Sequence, residues 1–421
     1  MKYVIIGASA AGLACALQIR KEDKEGEITV LTKENYLPYS RPSISYYLKG
    51  VVKENNMYLR KPSFYAQNNI NIVTGAEVKS IDREAKTVKA GRKVYPYDKL
   101  CLCTGSKPFV PPMKNVEGKS NALTFLDLDS SKAIKAKAGK STRAVVIGAG
   151  LIGMKAAEGL SKICESVDVV ELAPRVLPSI LDEKSAKSVK KFLETEGHIR
   201  FHLGQTVTEA KSKGDRITSV ILKNGKELAC DLLILAVGVR PETALAEKAG
   251  IEVNRGIITD PGTMRTSDEN IYAAGDCAVS VDMLDGSKRV IALWPNAVNQ
   301  GTAAGSQMAG GCIAIEKSYS VNAIDFYGLR ICTCGLINAQ GDRYTDKIIR
   351  EGESYKRLIF EGSRLVGYVL INSSANAGIY TSLIETKADI SALRGNILDT
   401  PGPFMFDRAE REIRMKGALP L

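Results

Sequence analysis

Two stretches of the chain share one hydropathy rhythm: a short unbroken apolar run, a glycine-rich turn, then a helix-length segment of small and apolar residues. In the first, Val4, Ile5 and Ile6 run into Gly7-Ala8-Ser9-Ala10-Ala11-Gly12, and Leu13 to Arg20 follows. In the second, Ala144 to Ile147 runs into Gly148-Ala149-Gly150-Leu151-Ile152-Gly153 and on through Leu160. Apolar runs of β-branched residues without alternation predict parallel strands covered on both faces. A second run follows each helix, Ile28 to Leu31 and Val167 to Val170, so each block predicts a β-α-β unit. Both blocks also end alike, in an apolar strand followed by glycine and proline: L-C-L-C-T-G-S-K-P from Leu100 and L-L-I-L-A-V-G-V-R-P from Leu232. Two blocks on one plan indicate duplication at the level of domains.

The turns carry chemistry. Gly7 permits a tight bend and Gly12 lets the helix approach the strand, so amides at the helix start can hold a pyrophosphate. Ser9 stands where that fingerprint usually has glycine, whereas the second copy keeps Gly148, Gly150 and Gly153. Glu171 closes the second block's next strand, placed to accept hydrogen bonds from ribose hydroxyls; its charge would repel a 2′-phosphate and favour NADH over NADPH. The equivalent strand of the first block ends in Thr32, and Glu34 is the carboxylate chosen for that ribose. In N-I-Y-A-A-G-D-C, Gly275 and Asp276 follow a short strand, where the carboxylate can take a polyol hydroxyl. Trp294 to Gly310 reads as a small-residue helix suited to pack beneath a flat ligand.

Between the motifs, Tyr36 to Gly50 (Y-L-P-Y-S-R-P-S-I-S-Y-Y-L-K-G) is a shaped loop running into a short helix. Strands are expected at Ile70 to Val73, Glu77 to Ile81 and Thr87 to Ala90. Past residue 320 alternating strands (Arg330 to Cys334, Tyr355 to Phe360, Leu365 to Ile371) and a helix (Gly378 to Thr386) predict a small α+β domain. Its last stretch, Asp407 to Lys416, reads as a charged helix, either solvated or a docking element for another subunit. The expected fold class is α/β, with two Rossmann-like dinucleotide-binding domains plus that small C-terminal domain.

A length of 421 residues allows two or three cores. Lys plus Arg exceed Asp plus Glu by 58 to 47, a net +11 that favours acidic partners. The basic residues are scattered and no nucleic-acid-binding spacing occurs, which argues against nucleic acid. No apolar run approaches the ~20 residues of a membrane span and no signal peptide opens the chain, so a cytoplasmic protein is expected. Nine cysteines sit mostly inside apolar strands or helices, and an odd count argues against a disulfide framework. No C-x-x-C occurs and no metal site is expected.

In order, G-x-S-x-x-G, P-Y-S-R-P, T-G-S-x-P, G-x-G-x-x-G with Glu171, V-G-V-R-P and A-G-D resemble the flavoproteins of the pyridine nucleotide–disulfide oxidoreductase superfamily. The resemblance covers essentially the whole chain. It is narrowest toward NADH:rubredoxin reductases, ferredoxin reductases of oxygenase systems, nitrite-reductase flavin domains and NADH-acceptor subunits of anaerobic oxidoreductases. It implies FAD on Gly7, Ser9, Ala10, Gly12 and Glu34, with Arg41 and Pro42 against the flavin and Thr104 and Gly105 passing near it. Gly275 and Asp276 would bind the ribityl chain or pyrophosphate. The helix beginning near Asn299 and Gln300 would aim its N-terminus at the flavin, Gly148, Gly150, Gly153 and Glu171 would hold NADH, and Ile152 and Gly238 are further cofactor-binding candidates. The implied FAD domain spans 1–112 and 252–320, the NAD domain 113–251, and the interface domain 321–421. Expected partners are an acidic rubredoxin-type protein or an iron–sulfur subunit, in a homodimer or hetero-complex.

Two departures shape the expected chemistry. Thiol-using members of the superfamily carry cysteine beside the flavin, whereas no cysteine lies between residues 16 and 100 here. A thiol relay is therefore not expected, which disfavours the NADH oxidase and coenzyme A disulfide reductase alternatives; a non-catalytic FAD-binding scaffold is the third reading. The ferredoxin-reductase pattern also implies a Lys and a Glu where this chain has Tyr46 and Lys155. Lys155 is accordingly expected to supply the positive charge that stabilises reduced flavin. Arg41 is the second candidate for a catalytic role.

Overall fold

The structure is a computed structural model, and it describes residues 1–315, 318–391 and 397. The apolar run Lys2–Ile6 forms the centre of a five-stranded parallel sheet, in the order Ile271–Ala273, Lys99–Leu102, Lys2–Ile6, Glu27–Leu31, Ile70–Val73. The continuous apolar register explains this: Val4, Ile5, Val30, Leu100 and Leu102 are buried on both faces. Strand Ile271–Ala273 thus joins a sheet whose other members all precede residue 103.

A second five-stranded parallel sheet repeats the plan in the order Ile199–Leu203, Ser166–Glu171, Arg143–Ile147, Leu232–Leu235, Ala122–Thr124. Each central strand feeds a glycine turn and a helix, Ala10–Glu22 in the first fold and Leu151–Ser161 in the second. In both folds the turn glycine is left-handed, Gly7 at φ 112° and Gly148 at φ 104°. A Cβ on Gly7 would strike the Cys103 carbonyl, and one on Gly148 the Ala236 carbonyl, so each turn is pressed against the neighbouring strand's end.

The helix Trp294–Met308 uses its small residues against Ala10–Glu22: a Cβ on Gly301 would meet the Ala11 backbone, and one on Gly305 the Cys15 backbone. Its small face therefore serves helix packing, where the sequence suggested a bed for a flat ligand.

The third unit is a five-stranded antiparallel sheet, ordered Val321–Phe326, Leu329–Gly335, Arg364–Ile371, Ser354–Glu361, Tyr344–Glu351, with helix Ala377–Glu385 packed on it. Three of these strands and the helix fall where the alternation predicted them. The expected charged helix at Asp407 to Lys416 lies outside the described residues.

Candidate active site

In the first fold, Ser9 caps helix Ala10–Glu22 without a side-chain bond to it, and no acidic residue stands in the first turn. The terminal amides and the helix dipole thus face an opening suited to an anion. Ser9 Oγ instead accepts a hydrogen bond from Arg41 Nε at 3.3 Å, and Arg41 forms an ion pair with Glu34. The other Glu34 oxygen accepts the Tyr39 hydroxyl at 2.6 Å, and that hydroxyl accepts the Leu128 amide at 3.1 Å. Burial holds the Tyr39 phenol strongly protonated, so it stays a donor.

The Arg41 guanidinium, expected against the flavin, lies between the first glycine turn and the Glu34 carboxylate. The short turn Arg41–Ser43 and the bridge between Tyr39 and Tyr58 fold the loop back over the first fingerprint, and Glu34 draws the cation there. Pro42 is exposed.

The second fingerprint is the more open cradle. Gly153 packs against the Gly148 carbonyl, and a Cβ on Gly150 would meet nothing within 4 Å. The turn thus leaves room over the start of helix Leu151–Ser161, which also has no acidic residue in its first turn. Half-buried Ile152 lies within that turn. Glu171 Oε2 accepts the Ala149 amide at 2.6 Å and Oε1 the Ala173 amide at 2.7 Å. The carboxylate is thereby held at the edge of the cradle.

The two proline-ended phrases meet between the folds. Ser106–Pro108 pairs antiparallel with Val239–Pro241, Thr104 Oγ1 donates to the Glu242 carbonyl at 2.6 Å, and the Gly105 carbonyl accepts the Glu242 amide at 2.9 Å. The Gly238 carbonyl accepts the Phe109 amide at 3.0 Å. Beside this junction Ser106 Oγ donates to Asp276 at 3.3 Å, and burial pushes the Asp276 carboxyl above its ordinary pKa. The two residues floor a cavity of about 470 Å³. A half-satisfied, desolvated carboxyl fits a hydroxyl-rich ligand chain.

Asn299 does not share this site. The helix starts at Trp294, with Pro295 in its first turn, so Asn299 lies in the second turn and is exposed. Its neighbour Gln300, 1% exposed, accepts the Gly275 amide on Oε1 at 2.8 Å and so fixes the turn that presents Asp276.

Lys155 is not a lone cation. Its ammonium donates to Glu158 at 2.8 Å and to the Asp325 carbonyl at 2.7 Å, over the rings of Tyr46 and Phe326. Lys49 donates to the same Glu158 at 2.6 Å, and the Tyr327 amide adds a bond of 3.1 Å. Burial alone would raise the Glu158 pKa, but the two lysines hold it below the usual carboxylate range. Tyr46 does lie beside Lys155, with its hydroxyl 3.3 Å from Asp325 Oδ1. Sequence reasoning missed Glu158, Lys49 and Tyr39.

The first sheet also buries Cys15, Cys101, Cys103 and Cys277, with the Cys101 and Cys103 sulfurs 3.5 Å apart. The hydrogen bond shared with Cys101 and burial push the Cys103 thiol well up, and burial pushes Cys277 to about 11, so these thiols are poor nucleophiles. Among the described residues no helix is long and apolar enough to cross a membrane, and no group of three His, Cys, Asp or Glu could hold a metal.

Two glycine cradles at helix N-termini, one with a carboxylate just beyond its neighbouring strand and one with a carboxylate at that strand's end, define a two-dinucleotide oxidoreductase. The chain belongs to the pyridine nucleotide-disulphide oxidoreductase family, whose model matches residues 1–301. It is an NADH-dependent flavoprotein oxidoreductase, with FAD and NADH as its cofactors. It is 31% identical over 407 residues to the NADH-dependent phenylglyoxylate dehydrogenase subunit epsilon of Aromatoleum evansii, covering 95% of each chain. It is 37% identical over 322 residues to an NADH oxidase of Methanocaldococcus jannaschii, covering 74% of this chain and 70% of that protein. Among solved structures, it resembles the covalent putidaredoxin reductase–putidaredoxin complex with a TM-score of 0.85 and 25% identity, covering 99% of this chain and 98% of the other.

Proposed function

We propose that the protein is a cytoplasmic NADH:acceptor oxidoreductase that exchanges electrons with an iron–sulfur or rubredoxin-type protein, as a separate partner or as a subunit of one complex. Bound FAD supplies the chemistry that couples a two-electron hydride donor to single-electron acceptors. In this reading residues 1–112 with 252–320 hold FAD, 113–251 hold NADH, and 321–421 supply a contact surface.

The chain's own groups have distinct tasks. Glu34, braced by Tyr39, receives the adenosine ribose of FAD. Arg41, beside Ser9, neutralises pyrophosphate charge at the helix start. Asp276 takes a hydroxyl of the ribityl chain, on a turn held by Gln300. Glu171 orients NADH through its ribose and excludes a 2′-phosphate. Lys155, held by Glu158, supplies the positive charge that favours the reduced state.

The observation that carries the reading is an intact second cradle, with Glu171 tied to its turn, beside a 36–50 loop that has no cysteine. Nucleotide can deliver hydride, and no thiol stands in that loop to relay it. The dehydrogenase-subunit and putidaredoxin-reductase likenesses support a protein acceptor. The NADH oxidase likeness favours a second reading, in which oxygen is the acceptor.

An acceptor assay separates them. With NADH and oxidised rubredoxin under argon, two equivalents of rubredoxin are reduced per NADH. Oxygen consumption in air at a rate matching or exceeding that of rubredoxin reduction would transfer the assignment to an oxidase.

A further inference from the structure

The cavity floored by Asp276 and Ser106 opens through a mouth formed by Arg255, Lys288 and Arg289. Arg255 comes from a turn and Lys288 and Arg289 from a short strand, and all three are exposed. Arg289 is tied to Asp282, whereas Arg255 and Lys288 have no carboxylate partner among the described residues. Other cations of the molecule are neutralised in place, as in Arg83 with Asp268, Lys132 with Glu54 and Arg143 with Asp231.

The backbone beneath the mouth is fixed. Arg255 adopts a left-handed φ of 54° in a turn closed by the Asn254 amide on the Gly256 carbonyl at 2.8 Å. A Cβ on Gly256 would strike Val290, and the Ile257 amide bonds the Cys277 carbonyl at 2.7 Å. Lys288–Arg289 pairs with Ser280–Val281 as a short hairpin strand. The cations are thus carried on backbone tied directly to the strand end that bears Asp276.

We propose that this mouth is the docking surface for an acidic, one-electron iron–sulfur protein. The inference rests on the acceptor reading above and names the face through which electrons leave. Uncompensated positive charge on a rigid rim steers a negatively charged protein and sets its orientation. The cavity floor lies at the residue assigned to the polyol chain of FAD, so a partner seated here has a short path to the flavin. The exchange balances as NADH plus two oxidised acceptors giving NAD⁺, one proton and two reduced acceptors.

The test is the double variant Arg255→Glu with Lys288→Glu, made in the full-length FAD-loaded protein. Rubredoxin of net negative charge is the protein probe and menadione the neutral one. Titration calorimetry with oxidised rubredoxin should show affinity falling roughly tenfold or more in the variant, with the salt dependence of binding flattened. The KM for rubredoxin should rise in parallel, while the rate of flavin bleaching by NADH and the menadione turnover stay at wild-type values. Unchanged rubredoxin affinity and salt dependence would overturn the docking site. Equal losses with rubredoxin and menadione would also overturn it, placing the two residues in the NADH or flavin machinery. A wild-type protein bleached by NADH that neither binds nor reduces rubredoxin would instead overturn the acceptor reading itself.

Discussion

Glu171 reaches across the second glycine turn to accept the Ala149 amide at 2.6 Å, so the residue proposed to select the nucleotide also braces the glycine turn. Next to it, Leu172 is 69% exposed. Glu171→Ala should lower kcat/KM for NADH about ten- to a hundredfold, as expected for hydrogen bonds to a charged group. Adding Leu172→Arg should raise kcat/KM for NADPH above that for NADH. Steady-state kinetics with both nucleotides check this.

Tyr39 holds Glu34 from the side opposite Arg41. Tyr39→Phe removes the hydroxyl shared with the Leu128 amide while preserving the ring, and should weaken FAD binding roughly tenfold. Fluorescence titration of the deflavinated protein measures it. An unchanged dissociation constant would remove Glu34 from the FAD site.

Two lysines from distant segments share Glu158, which is 2% exposed. Glu158→Gln leaves both ammonium groups without their anion and should cost about 3 kcal/mol of stability at pH 7. Because the folded pKa of Glu158 is depressed, its contribution is fully present above its unfolded value, about 4.3. It is lost as pH falls through the still lower folded value. The stability gap between wild type and variant should therefore narrow below about pH 4. Urea melts across pH 3.5 to 7 provide the comparison.

Lys155→Met removes the cation that Glu158 and the Asp325 carbonyl position. The flavin midpoint potential should fall by on the order of 30 mV, equal to ~1.4 kcal/mol for a two-electron couple. Hydride transfer from NADH should slow in step. Spectroelectrochemical titration that returned the wild-type potential would exclude an electrostatic role.

Both parallel sheets could be read from the sequence because their strands are covered on two faces and register as unbroken apolar runs. The edge strand Tyr344–Glu351 escaped for the converse reason: its Asp, Lys, Arg and Glu face solvent and protect a sheet edge, which masks the alternation. The glycine turns and Glu171 were visible because a strand, turn and helix in immediate succession make a local site. Glu158 was within reach as an i,i+3 partner of Lys155. Its second partner, Lys49, lies 109 residues away, a pairing that only the folded chain creates. The contacts of Arg41 with Ser9 and Glu34 were not legible because its loop is irregular, and nothing in its local pattern shows which way it folds back. The late helix was legible from Trp294 in its own small-residue pattern, with Pro295 marking its first turn, whereas the flavoprotein resemblance implied a start near Asn299 and Gln300.

In the proposed function NADH, delivered by the second cradle, reduces flavin held by the first. Anaerobic stopped-flow mixing of the FAD-loaded protein with NADH and, separately, NADPH tests it most directly. The account predicts full bleaching of flavin absorbance within about a second, the scale of ordinary turnover, and far slower bleaching with NADPH. Negligible or minute-scale reduction by both nucleotides would contradict it and identify a binding scaffold in place of a reductase.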